Sequence, residues 1–237
     1  MEQKIQNDIR FLKWYAAGLT VVLLYLLMTK FLNENQPIAL KELNVQRINI
    51  LEENGDLKMV ISNKKKQHPG MVNGKSLAAR EREAGIIFFN SSGEECGGLV
   101  YDGNKKSAGL ALSVDQFHND QIMQLQYAQE GTGDSSKRHY GLKIWDRSDR
   151  FTLAQQVALV DSMTALNKEK ELTGQFKLLR EKGLLGAERM FAGKNEEGEV
   201  GLFIRDDQGR VRIKIFCDKL NNPKMIVLNE AGLELAE

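Results

Sequence analysis

Apolar and polar positions along this chain follow three different periods, and each predicts a different kind of element. Residues 14–28 form an uncharged run that is apolar all round, with no polar stripe to face water. From residue 45 onward the dominant period is two, as in Arg47-Ile48-Asn49-Ile50 and Arg210-Val211-Arg212-Ile213-Lys214-Ile215, which predicts β-strands with one apolar and one polar face. Between residues 152 and 183 the period lengthens. Leu153, Val157, Val160, Met163 and Leu166 recur at helical intervals behind Thr152 and Gln155, which have capping-box spacing. A second helix is expected over residues 169–182, with Leu172, Phe176 and Leu179 turned inward and Gly183 ending it. Alternation then returns to the end of the chain.

The first run predicts a membrane anchor over residues 14–32, after a polar tail of residues 1–13. Counting Phe11, Leu12, Phe31 and Leu32, with Lys13 and Lys30 snorkelling, the helix reaches about 22 residues or ~33 Å, enough for a hydrocarbon core of ~30 Å. Trp14 and Tyr15 stand near one end, where interfacial aromatics belong, and Leu23, Leu24, Leu26 and Leu27 fill the apolar centre. No small-x-small cleavage site follows, which favours an uncleaved anchor over a signal peptide. Lys4, Arg10 and Lys13 precede the run and Lys30 and Lys41 follow it, so charge counting leans toward a cytoplasmic N-terminus and an extracytoplasmic C-terminal domain. Residues 33–44 read as a linker around Pro37 and residues 45–237 as the domain.

Within that domain a glycine-led segment returns: Gly85-Ile86-Ile87-Phe88-Phe89-Asn90, Gly141-Leu142-Lys143-Ile144-Trp145-Asp146, Gly201-Leu202-Phe203-Ile204-Arg205-Asp206, and more loosely from Gly109 to Asp115. A turn signal, Asn/Asp-x-x-Gly, accompanies it and ends at Gly93, Gly198, Gly209 and Gly232; Asn54-Gly55 closes an earlier hairpin. In each the Asx side chain bonds the backbone two residues on and the glycine takes a positive φ. The expectation is a mainly β fold, an N-terminal transmembrane helix followed by a repeat-built, solenoid-like domain of β-hairpins carrying a two-helix insertion at about 152–183.

Composition narrows the function classes. With 33 Lys plus Arg against 32 Asp plus Glu there is no overall field to favour nucleic acid, and 21 glycines against 3 prolines suit a chain of many tight turns. Cys96 and Cys217 leave a disulfide open, while Cys217 shares parity with Val211, Ile213 and Ile215 and reads as a buried small apolar residue. Residues 63–83 interrupt the pattern with Lys64, Lys65, Lys66 and a charged run. Its Gly70-to-Ser76 stretch is one residue short of a phosphate loop, so a solvated basic loop is expected. Asp115, His118 and Asp120 offer too few ligands for a metal and read as a polar turn. The carboxylate pairs Glu52/Glu53, Glu94/Glu95 and Asp206/Asp207 lie at turns, and no nucleophile elbow or dinucleotide motif occurs. No catalytic, cofactor or metal residues are therefore assigned.

The span together with Arg47 to Gly55 and Gly201 to Arg212 resembles a group of functionally uncharacterised bacterial single-pass, membrane-anchored proteins with Gly-Leu-x-Leu-x-Asp-x-x-Gly strand-turn repeats. The resemblance implies location and fold and carries over no catalytic residue. The expectation is a noncatalytic structural or interaction protein of the cell envelope, partnered by the bilayer and by proteins or itself. An envelope enzyme acting on a glycan and a cytosol-facing tethered scaffold are the alternatives.

Overall fold

A computed structural model describes residues 2–33 and 39–235. Most of the expected linker, with Pro37, lies outside the described residues. Two compact units result, divided after Asn44.

The first unit contains α1 (Glu2–Asn33), a single 32-residue helix about 48 Å long. It absorbs the expected polar tail, because residues 2–13 contain no proline or glycine to stop it. Its Glu2–Thr29 stretch is long and apolar enough to cross a membrane and none of it is buried. Trp14, Tyr15, Leu23, Leu24, Leu26 and Leu27 are all exposed along it.

The second unit is built on one antiparallel sheet. In chain order its elements are β1 (Arg47–Leu51), β2 (Leu57–Ser62), β3 (Met71–Val72), β4 (Lys75–Ser76), β5 (Ala84–Phe89), β6 (Glu95–Gly103), β7 (Ser107–Asp115), β8 (Gln121–Glu130), β9 (Lys137–Asp146), α2 (Leu153–Ala165), α3 (Glu169–Glu181), β10 (Ala187–Lys194), β11 (Val200–Arg205), β12 (Val211–Cys217) and β13 (Pro223–Val227). Strands β3 and β4 form a separate small hairpin. The other eleven lie side by side in chain order as a meander, with β1 and β13 at its two ends, so the sheet is not a closed barrel; outside β13 the chain folds back, Leu228 bridging Glu234 and the Val227 carbonyl accepting from the Leu235 amide. Pairing is antiparallel throughout, a geometry different from the parallel rungs of a solenoid.

The turns explain the meander. At 90–94, 206–210 and 229–233 the Asx amide donates to the carbonyl four residues on, the Asx carbonyl accepts from the glycine amide, and the Asx side chain accepts from the second and fourth following amides, as Asp206 does from Gln208 and Arg210 at 3.0 and 2.9 Å. Gly55, Gly93, Gly198, Gly209 and Gly232 all have positive φ, between +66° and +89°. A further turn of this kind runs from Asp218 to Asn222, where Asn221 at φ 65° stands in for glycine. Asp206 is held down to about 2 even against partial burial, by the amide and guanidinium of Arg210 and the amide of Gln208. The Asp218 carboxyl is depressed further, first by the amide of Asn222 and then by Lys224.

Both helices form as the periodicity predicts. Thr152 accepts from the Gln155 amide while the Gln155 side chain accepts from the Thr152 amide, closing the capping box. Gly183 follows α3 at φ 63°. Only Met163 of the pair is buried, and Leu166 is 61% exposed, so the helices are a lightly packed appendage rather than a second layer. The Leu153 amide donates to the His118 carbonyl, fixing α2 to the β7–β8 turn.

The expected solvated loop of residues 63–83 is corrected. Asn73 and Gly74, at φ 50° and 70°, make the two-residue turn of the β3–β4 hairpin. The segment crosses one face of the sheet and buries Met71 against Val60, Ile87 and Phe89. His68 is buried with its ring edge-on to Phe89, the centroids 4.8 Å apart, and burial, then Arg47, lowers its pKa, keeping it neutral. Its Nδ1 accepts from the Gly70 amide at 3.0 Å. Toward the other end of the same face Phe191, Phe203 and Phe216 stack with centroids 5.9 and 6.0 Å apart. The Lys214 ammonium lies 4.6 Å from the Phe216 ring and 5.6 Å from Phe203. Gly201 pairs with Phe216, and a β-carbon there would stand 2.5 Å from the Phe216 Cβ and 2.2 Å from the Ile215 carbonyl oxygen. The glycine that leads the recurring segment is therefore the floor on which an aromatic ring rests.

Candidate functional site: an open aliphatic face

The register of the sheet determines which side chains share its opposite face. Starting from Ile48 and moving one strand at a time, the partners are Ile61, Ile86, Leu99, Leu112, Leu125, Leu142, Ala192, Leu202, Ile215 and Met225. Eleven strands thus contribute one aliphatic residue each to a single lateral row. Two residues along every strand toward the 90–94 turn, a second row runs from Ile50 and Met59 through Phe88, Val114, Met123 and Ile144 to Ile204, Ile213 and Val227. On the other side a third row includes Tyr101, Leu110, Tyr127, Tyr140, Val200 and Cys217. Across the three rows Lys194 is the one charged residue.

None of these side chains is buried. In the middle row Leu112 is 43% exposed, Leu125 50% and Ile215 46%, with Ile61 and Met225 also exposed and the other six half-buried, which matches lateral contact with neighbours in the row and no buried layer above. At ~4.8 Å between strands and ~7 Å between alternate residues, the face measures roughly 48 by 20 Å, or about 1,000 Å². That exceeds the few hundred Å² of contiguous apolar surface usual on a monomer. Gln129 and Arg138 close one margin; the Gln129 Oε1 accepts from the Tyr127 hydroxyl at 2.7 Å and from Arg138 at 2.8 Å, giving the patch a polar rim.

The polarity expected for β12 is inverted. Arg212 and Lys214 share their face with buried Phe216, Lys214 lying over the aromatic stack and Arg212 reaching Asp206, whereas Val211, Ile213 and Ile215 lie on the open face. Cys217, expected as a buried residue, is exposed at the margin of the open face, and both cysteines are free thiols. Burial raises the pKa of the Cys96 thiol, so it is not an activated nucleophile.

A second cluster gathers at the β5–β6 and β7–β8 turns. Glu94 is 5% exposed and its Oε1 lies 2.8 Å from His118 Nδ1, while its Oε2 is buried without a partner. Glu95 accepts two bonds from Arg82, both at 2.7 Å, tying the end of the 63–83 segment to β6. Asp115 is pushed up to about 7 by burial, then by Glu95 and Asp120, and its Oδ1 has no partner. The structure therefore turns His118 toward Glu94 rather than grouping it with Asp115 and Asp120, and Asp120 faces Arg147 at 3.5 Å. A separate open groove of about 380 Å³ is lined by Gln116, Phe117, His118, Arg147 and Asp149, while the space against Glu94, Glu95 and His118 is about 10 Å³, room for at most one water. Its geometry is that of a latch between the crossing segment and two turns. The pair Asp206/Asp207 also splits, Asp206 serving Arg210 and Arg212 at 2.8 and 2.9 Å.

Comparison with protein-family models, with curated proteins and with solved structures finds no match to this chain.

Proposed function

We propose that the chain is a noncatalytic, membrane-anchored structural or interaction protein whose open aliphatic face is its binding surface. The supporting observation is the row of eleven aliphatic residues, one on every strand of the main sheet, of which none is buried and five are exposed. Leaving an apolar face with a footprint of about 1,000 Å² open to water forgoes part of the largest favourable term in folding, and a stable assembly recovers it by covering the face. The one described helix long and apolar enough to cross a membrane is the tether, and the charge distribution around it favours an extracytoplasmic sheet at the cell envelope. The strand-and-turn repetition serves this role by placing an aliphatic residue at the same height in each strand.

Photo-cross-linking in native membranes tests the reading. A photoreactive residue at Leu112, on the open face, is expected to give a discrete adduct, while one at the adjacent Ser113, on the other face, gives none. Equal yields at both positions would refute a face-specific interaction. Protease added after the outer barrier is opened is expected to digest the domain from Val45 onward; full protection would place it in the cytosol.

A further inference from the structure

We infer that the occupant of the open face is a second copy of this chain, stacked face to face so that two eleven-stranded sheets make a two-layer sandwich. The inference rests on the interaction reading above and names its partner. The area is the first argument. About 1,000 Å² per copy matches the roughly 800 Å² each partner contributes to a specific interface of standard size. A closed two-fold pairing also needs a self-complementary patch, and a nearly uncharged grid of Leu, Ile, Val and Met meets that condition. The sheet's right-handed twist is the same in both copies, so they align at about −30° as sandwich layers do, ~10 Å apart.

Shape argues against the other occupants. A docked helix is about 10 Å across with its side chains, so one helix covers a fraction of a face roughly 48 by 20 Å. A lipid monolayer would have to receive the sheet face down. That carries the free edge of β1, which has a ladder partner on one side only, toward hydrocarbon that cannot satisfy its backbone groups. Stacking two copies leaves that edge in water. Tethering both copies by α1 to one bilayer confines them to a thin layer and raises their effective concentration.

The central strand of the eleven is β8, and Leu125 is its residue in the middle row. Maximal overlap puts the two-fold axis there, so Leu125 of one copy meets Leu125 of its partner. The test uses the full chain in its membrane, with Cys96 and Cys217 replaced by serine and one cysteine introduced. Under mild oxidation Leu125→Cys is expected to form a disulfide-linked dimer in most of the protein, at least about tenfold above Gln124→Cys on the opposite face. Adding Leu112→Glu to Leu125→Cys is expected to abolish the dimer, while a retained β-sheet circular dichroism spectrum shows that the fold survives. A Leu112 photo-adduct with a different protein or with lipid, and no Leu125→Cys dimer, overturns the second-copy inference but leaves the interaction reading standing. Absence of any adduct overturns both.

Discussion

Phe203→Ala probes the only aromatic layer that stiffens the C-terminal half of the described sheet. Phe203 is 4% exposed and stacks between Phe191 and Phe216 at 5.9 and 6.0 Å, with Lys214 above it at 5.6 Å. Removing the ring loses about 2–3 kcal/mol of transfer free energy. Two aromatic neighbours add about 0.5–1.5 kcal/mol each, so a loss of about 4 kcal/mol is expected, within the usual range for Phe→Ala in a core. With a urea dependence of about 2 kcal/mol per molar for a domain of this size, the unfolding midpoint falls by about 2 M. The same change on the open face behaves differently in a dissociated, detergent-solubilised sample. Leu125→Ala removes a half-exposed side chain and moves the midpoint by less than about 0.5 M. Urea unfolding followed by circular dichroism gives both numbers. Equal shifts for the two variants would refute the assignment of one covered and one open face.

Gly201→Ala forces a β-carbon into the Ile215 carbonyl and the Phe216 side chain, so soluble folded yield and thermal midpoint should both fall, by about 2 kcal/mol or more, in a thermal melt. Asp115 binds a proton in the folded state up to about pH 7 but releases it near 3.8 when unfolded, so stability falls as pH rises from about 4 to 7. At about 1.4 kcal/mol per pH unit that is several kcal/mol. Asp115→Asn should flatten this dependence in urea titrations at pH 4.5 and 7.5, and an unchanged slope would show that Asp115 is not the responsible group. Asp206 acts with the opposite sign: its depressed pKa contributes stability present above about pH 4 that is lost as pH falls toward 2, a loss Asp206→Asn should remove from an acid titration.

Much of this architecture is legible in the residues. The alternation of Val211 to Cys217, the Asx-x-x-Gly turns and the Thr152/Gln155 box each have a local cause, and the strands, turns and helix starts follow from them. What local pattern does not show is which parity is covered. Arg212 and Lys214 look solvent-facing until Gly201 is placed beside Phe216, a pairing made across strands. The 63–83 segment misleads for a related reason. Its lysines suggest solvent, yet Asn73-Gly74 was a hairpin signal in plain view, and Met71 reaches the core from there. The aliphatic row is invisible in any one strand because it exists only in the register of eleven.

The account stands most directly on whether that row is covered in the assembled protein. Maleimide labelling of single cysteines introduced at Leu99, Leu142 and Gln124, in intact membranes and again after dissociation in detergent, measures this. Gln124→Cys, which lies off the row, is expected to label at the same rate in both conditions, and the two row positions to be protected in membranes by about tenfold or more and to label freely after dissociation. Rapid labelling of Leu99→Cys and Leu142→Cys in intact membranes would contradict the central claim.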